Sequence, residues 1–197
     1  MNARQRERRR MLAGIGALAL LQGRARARES ALPGDSVYQL QAPLIDQQGH
    51  RLELGAGRGS PVLVSMFYTS CPIACPLTFE TIHLTLAALP PEAARRVRVL
   101  LITMDPDRDT VQVLGGVARE RGCDERWTLA RPQEEDVRPI AAILGIQVRR
   151  LPSGDFNHST LIDLLDRQGR IVARSSRLGE ADPALLDALR RQLSPVP

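Results

Sequence analysis

Cys71 and Cys75 are the residues of this 197-residue chain best suited to chemistry. They stand in the segment TSCPIACP, three residues apart, and a proline follows each (Pro72 and Pro76). Proline disfavours the α conformation for the residue before it, so the segment predicts both cysteines outside a regular helix. Pro76 suits the first position of a following helix, which places Cys75 at its N-cap and Cys71 in the loop before it. The dipole and free N–H groups at a helix start favour thiolate over thiol. Two uses compete for such a pair. It can cycle between dithiol and disulfide, or bind a soft metal, because thiolates select copper(I), zinc and iron–sulfur centres. A structural zinc needs four protein ligands, and the single remaining cysteine, Cys123, supplies no second pair. A plain structural disulfide is the simplest use, but it does not account for a proline after both cysteines.

Two cysteines and one histidine would make a trigonal set suited to copper, and the chain has three histidines. His50 sits beside a hairpin turn and is expected to be exposed. His83 falls seven residues beyond Pro76, two turns into the first helix, where an ordinary helix role is the better expectation. His158 lies in GDFNHSTLIDLL, in the loop just before an apolar strand. A residue entering a strand beside the cysteine strand could face the cysteine loop. Its chemistry alone leaves ligand, acid/base group and solvated loop histidine all open.

Other candidates have plainer expectations. Asp105, in TMDPDRDT, could orient His158 or act as a weak copper(II) ligand, but Asp before Pro is above all a turn residue. Asp109 reads as a helix N-cap, with Gln112 three residues on in capping-box fashion. Cys123 reads as a lone thiol or an intermolecular partner. Met66 and Met104 fall in buried-strand patterns and are expected in the core. Phe67, Tyr68 and Phe79 are expected to shield the cysteine loop.

The elements that must hold these residues follow from pattern. Residues 36–55 read as a hairpin with its turn at 47–49, and GAGRGS as a loop. PVLVSMFY is a continuous apolar run of the kind a buried central strand requires, and it feeds directly into the cysteine loop. A helix is predicted over 77–89, a second buried strand over 97–104, a helix from Asp109 to about Gly122, and a short strand including 127–130. EEDVRPIAAILG predicts a helix with acidic residues at its positive end. STLIDLLD and RIVARSS form a strand pair around a Gly turn, and Asp182–Pro183 starts the last helix. The order predicts an α/β fold, a mixed sheet covered by helices. In such folds active groups sit just past the C-terminal end of a central strand.

Charge separates the chain into two parts. Every basic residue is Arg. Residues 1–27 hold seven Arg against Glu7, a charge of +6, while residues 28–197 hold 20 basic and 21 acidic groups, a charge of −1. The overall +5 and pI near 10 therefore belong to the N-terminus, and a nucleic-acid partner is not expected of the body. Residues 1–27 read as an export signal: a positive stretch to Arg10, an apolar run from Met11 to Leu21, then Ala25-Arg26-Ala27 in small-x-small form. The apolar run is about half the roughly 20 residues of a membrane span. The segment is either cleaved or kept as an inner-membrane anchor. Both readings predict a body, residues 28–197, in the bacterial periplasm, where disulfides can form.

TSCPIACP, LITMDPDRDT and FNHSTLIDLLDRQGRI together resemble the Sco/SenC family of copper-binding, thioredoxin-like proteins. The resemblance covers nearly all of residues 36–193. It implies a thioredoxin-like fold with an N-terminal β-hairpin extension, and a copper site of Cys71, Cys75 and His158 for copper(I), and for copper(II) with a further weak ligand. It also implies a chaperone that delivers copper to the copper-bearing subunit of cytochrome c oxidase, with other periplasmic copper chaperones and thioredoxin-like reductants as further partners. Two positions depart from the family pattern. The residues between the cysteines, Pro72, Ile73 and Ala74, include no acid, and Asn157 stands where Asp usually precedes the histidine. The competing reading is a thiol–disulfide oxidoreductase or redox sensor using the same cysteine pair without copper delivery, and a peroxidase-like thiol enzyme is a third. Copper binding needs His158, whereas pure disulfide exchange need not.

Overall fold

The computed structural model describes residues 31–194. The export segment, residues 1–27, lies outside them.

The central element is a seven-stranded mixed sheet. Its strands are β1 (Pro43–Asp46), β2 (Arg51–Glu53), β3 (Val62–Phe67), β4 (Arg98–Thr103), β5 (Trp127–Pro132), β8 (Ile162–Leu165) and β9 (Ile171–Ser175), in the spatial order β2-β1-β5-β4-β3-β8-β9. Strands β3, β4 and β5 are parallel, and the others join them antiparallel. All six residues of β3 and five of six in β4 are buried, as expected for parallel strands covered on both faces. The predicted N-terminal hairpin is β1–β2, turned at Gly49 with φ +89° and added to the sheet beside β5.

Among the described residues five α-helices accompany the sheet: α1 (Ala74–Ala87), the short α2 (Pro91–Ala94), α3 (Val111–Glu120), α4 (Glu134–Ile143) and α5 (Pro183–Leu193). They supply the buried Phe79, Ile82, Leu114, Ile140 and Leu189 to a core that also holds Met66 and Met104, as their pattern predicts. α5 starts as expected: Asp182 accepts from the N–H groups of Ala184 and Leu185, with Pro183 at the first helical position. Among the described residues no helix is long and apolar enough to cross a membrane.

A second, two-stranded sheet interrupts the predicted loop before β8. Strands β6 (Val148–Arg150) and β7 (Phe156–His158) pair antiparallel, with Val148 opposite His158. This corrects the placement of His158, which ends a strand rather than sitting in a loop.

Topology brings the chemistry together. Strand β3 runs toward the cysteine loop. Its neighbour β8 runs the other way, Val62 pairing with Leu165 and Val64 with Asp163. The start of β8, and with it the β7 end that precedes it, therefore lies beside the C-terminal end of β3.

Candidate metal centre

Cys71 and Cys75 are free, buried thiols, and His158 is half-buried. The ligand atoms of the three lie within 4.8 Å of one another, and among the described residues no other group of three metal-binding side chains comes together in this way.

The cysteines are positioned by the helix start, with one correction to its register. α1 begins at Ala74, so Cys75 is its second residue and Ile73 its N-cap. Proline is tolerated there because the N–H groups of a first helical turn have no intrahelical partner to lose. Ile73 makes no side-chain cap hydrogen bond. The start of α1 instead lies by the Cys71 thiol, with the N–H groups of Ile73, Ala74 and Cys75 as the donors that favour its thiolate. Burial pushes the Cys71 thiol up, but these donors and the Cys75 thiol outweigh it and hold Cys71 below the ordinary cysteine range. Cys75 is the opposite case. Burial pushes it well above the ordinary range, against the single backbone N–H of Tyr68, 3.5 Å from its sulfur. The pair therefore has one thiolate-prone member at the helix N-terminus and one protonated member beneath it.

His158 is oriented by its own backbone. Its Nδ1 lies 3.2 Å from the carbonyl of Ser159. A proton on Nδ1 donated to that carbonyl leaves the Nε2 lone pair for a metal, the arrangement metal-binding histidines use. Tyr68 packs edge-on to the imidazole, with ring centroids 5.7 Å apart, and tilts against Phe156 at 5.2 Å. Burial, with the Cys71 thiol beside it, holds the Tyr68 hydroxyl above its ordinary range. Tyr68 thus meets the histidine side with its ring and the Cys75 sulfur with its backbone N–H. Phe67 and Phe79, expected at the site, make their ring contacts with each other and with Trp127 instead. Ile73, between the cysteines, is 72% exposed and leaves an apolar lip on the open side.

The remaining sequence candidates lie elsewhere. His50 is exposed and paired with Asp46 at 3.2 Å. His83 bonds the Arg121 carbonyl at 2.9 Å and packs on Trp127. Burial, with Asp124 beside it, pushes the Cys123 thiol up to about 12. Asp105 is buried and bonds the Arg108 guanidinium, outside the ligand group. Asp109 does not cap a helix: Thr110 does, accepting from Val113 N–H at 3.3 Å. Asp109 is fully buried and accepts from the N–H and hydroxyl of Thr69 and the hydroxyl of Thr103. It fastens the strand end before Cys71. Sequence reading missed Thr69, Asp109 and Phe156 in these roles. The run VRRLPSGDFNH, two short segments about a Ser-Gly turn, carried the signal for the Phe156 hairpin.

Chemically, two thiolates and an imidazole are a soft set short of zinc's usual four protein ligands. Metal bonds to such donors run about 2.0–2.3 Å, so atoms spread over 4.8 Å need only a small inward movement to share one ion. The same two sulfurs, unequal in acidity, also form an attacking and a resolving thiol.

The chain is similar to known proteins in sequence and in fold. The protein SCO2 homolog of Bos taurus mitochondria is 26% identical over 178 residues, covering 87% of this chain and 66% of that one. The SCO2-like protein of Rickettsia prowazekii is 25% identical over 174 residues, covering 82% and 83%. A Stutzerimonas stutzeri protein named for copper binding is 32% identical over 87 residues. The chain spans 39% of that protein's length, and just under two thirds of the bovine one. Among solved structures, Arabidopsis thaliana ScoI with copper bound superposes with a TM-score of 0.68 at 18% identity, covering 77% of this chain and 98% of that one. Yeast Sco1 with copper bound gives 0.65 at 21%, covering 80% and 90%. These establish the fold as the one those Sco proteins share. The SCO1/SenC family pattern matches residues 35–194, and the chain belongs to that family.

Proposed function

We propose that this protein is a periplasmic copper chaperone. Cys71, Cys75 and His158 hold one copper(I) ion and pass it to the copper-bearing subunit of cytochrome c oxidase. The observation that carries the reading is the convergence of two buried cysteines and one histidine at the open end of β3. The donor set favours copper(I) over harder ions. Family membership supports the same cargo, since relatives of this fold are known with copper bound. The exposed Ile73 beside the thiols gives an acceptor's ligands an open side from which to displace the protein's own, one at a time. Copper(II) would need a further weak ligand, water or a carboxylate.

A second reading, thiol–disulfide exchange on the acceptor's cysteines, is favoured by the unequal acidity of Cys71 and Cys75. It uses the same sulfurs and requires no His158.

Metal analysis of the reduced, exported protein tests the first reading. About one copper per chain, lost in Cys71→Ser, is the expected result for this ligand set. Wild-type protein that retains no copper(I) when reduced and loaded overturns it.

A further inference from the structure

We propose that Arg108 is a positioning residue for His158. It acts through the tip of the β6–β7 hairpin, and the 103–109 segment ties that hairpin to the cysteine loop. The inference rests on the reading of Cys71, Cys75 and His158 as copper ligands.

A two-stranded hairpin is at best marginally stable alone. Strands β6 and β7 have three residues each, and they carry a proposed ligand at one end. Something outside the hairpin must therefore hold it. On its flank, Tyr68 packs on Phe156. At its tip, the Arg108 guanidinium donates from Nη2 to the Gly154 carbonyl and from Nε to the Asp105 carboxylate. Gly154 has φ +87°, a conformation glycine adopts without strain, and this turn presents its carbonyl. Asp105 is only 2% exposed, so its carboxylate fixes the guanidinium from a rigid base. The Arg108 fork is planar, with several donors, and can serve both acceptors together.

The same segment reaches the cysteines. The Asp105 N–H donates to the Thr103 hydroxyl at 3.0 Å, and that hydroxyl donates to Asp109. Asp109 in turn receives Thr69, two residues before Cys71. The Arg131 guanidinium, at 2.7 Å from the Pro106 carbonyl, pins the segment to β5. A continuous chain of polar contacts thus runs from Gly154 through Arg108, Asp105, Thr103 and Asp109 to Thr69. The distance between imidazole and sulfurs is set from one scaffold.

The test compares the reduced protein with Arg108→Gln, Arg108→Lys, His158→Ala and the Arg108→Gln/His158→Ala double variant. Copper(I) affinity is read by competition with a chromogenic chelator, and amide hydrogen exchange is read over residues 148–158. Arg108→Gln is expected to weaken copper(I) binding about 10-fold, the lower end of what outer partners of metal ligands contribute. It should speed exchange in the hairpin while leaving β3 and β4 protected. Arg108→Lys, with one compact donor group, should fall between. The double variant should bind no more weakly than His158→Ala alone, because Arg108 acts through that ligand. Wild-type affinity and hairpin exchange in Arg108→Gln, beside weakened His158→Ala, overturn the tether and leave the ligand reading standing. Additive losses in the double variant also overturn it. Unchanged affinity in His158→Ala overturns the ligand reading itself, and this inference with it.

Discussion

Asp109, fully buried, accepts hydrogen bonds from both the backbone N–H of Thr69, at 3.1 Å, and the Thr69 hydroxyl. This one carboxylate joins the end of β4 to the strand end that enters the cysteine loop. Asp109→Asn removes the charge and one of the two acceptor oxygens that serve the Thr69 N–H and the Thr69 and Thr103 hydroxyls. The loss is expected to be about 1–3 kcal/mol, the range for a buried hydrogen bond left unmade. Urea denaturation measures it, and faster amide exchange at Thr69 should accompany it. Wild-type stability in Asp109→Asn would show that Thr69 needs no such anchor.

The two cysteines should differ sharply in reactivity. Cys71 lies below the ordinary thiol range because helix N-terminal N–H groups outweigh its burial, and Cys75 lies above it through burial. With iodoacetamide, Cys71 of the reduced protein should be alkylated first, with a midpoint lower than that of an ordinary free cysteine. Cys75 and Cys123 should lag at neutral pH. Peptide mapping by mass spectrometry reads the order, and labelling of Cys75 before Cys71 would contradict it.

Copper loading should depend on pH in a stated direction. Binding requires both sulfurs deprotonated and the imidazole neutral. Cys75 is held above the ordinary thiol range, so its proton is still present at neutral pH and must leave on binding. Copper(I) affinity should therefore fall as pH falls, and loading an unbuffered reduced sample should release protons. A flat affinity between pH 8 and about pH 6 would exclude deprotonation of these ligands as part of binding.

Tyr68 packs its ring on the histidine side of the site, against His158 and Phe156, while its hydroxyl lies toward Cys71, so hydroxyl and ring can be separated. Tyr68→Phe keeps the contacts with His158 and Phe156 and is expected to retain copper(I) affinity within a few-fold. Tyr68→Ala removes both ring contacts, each of the aromatic kind worth about 0.5–1.5 kcal/mol, and should weaken binding by about 10-fold. Equal losses in the two variants would place the effect in the hydroxyl rather than the ring.

Elsewhere in the sheet, Arg174 on β9 pairs with the buried Asp163 of β8 at 2.6 Å. Burial raises the Asp163 carboxyl above its ordinary range, and Arg174 opposes that rise. Arg174→Met leaves the charge buried and unpaired. We expect a loss of about 2 kcal/mol at pH 7, less than for a fully buried pair because Arg174 is partly exposed. A carboxyl with a raised folded pKa favours the folded state when protonated, so the deficit should shrink as pH falls toward that pKa. A deficit that grows on acidification would contradict the assignment.

Much of the site was legible in sequence because its determinants are local. TSCPIACP announces a strand end, two thiols and a helix start within eight residues. Strands β3 and β4 read clearly because buried parallel strands are continuously apolar. Residue chemistry left the role of His158 open, and the resemblance to the Sco/SenC family supplied it as a ligand; the structure places it by the cysteines because β8 lies beside β3. What escaped depends on contacts distant in sequence. Asp109 and Thr110 are both good caps. Only the folded positions of Thr69 and Thr103 draw Asp109 inward and leave the cap to Thr110. The β6–β7 hairpin, with strands of three residues each, left only the short signal VRRLPSGDFNH. Tyr68 and Arg108, far away in the chain, hold it.

The most direct test of the central claim is a copper(I) competition titration of the reduced wild-type protein against His158→Ala. We expect one copper per wild-type chain and an affinity at least 10-fold weaker in the variant, since an imidazole ligand is lost while both sulfurs remain. Equal affinities would contradict a copper site built from Cys71, Cys75 and His158. They would leave the cysteine pair to thiol–disulfide exchange.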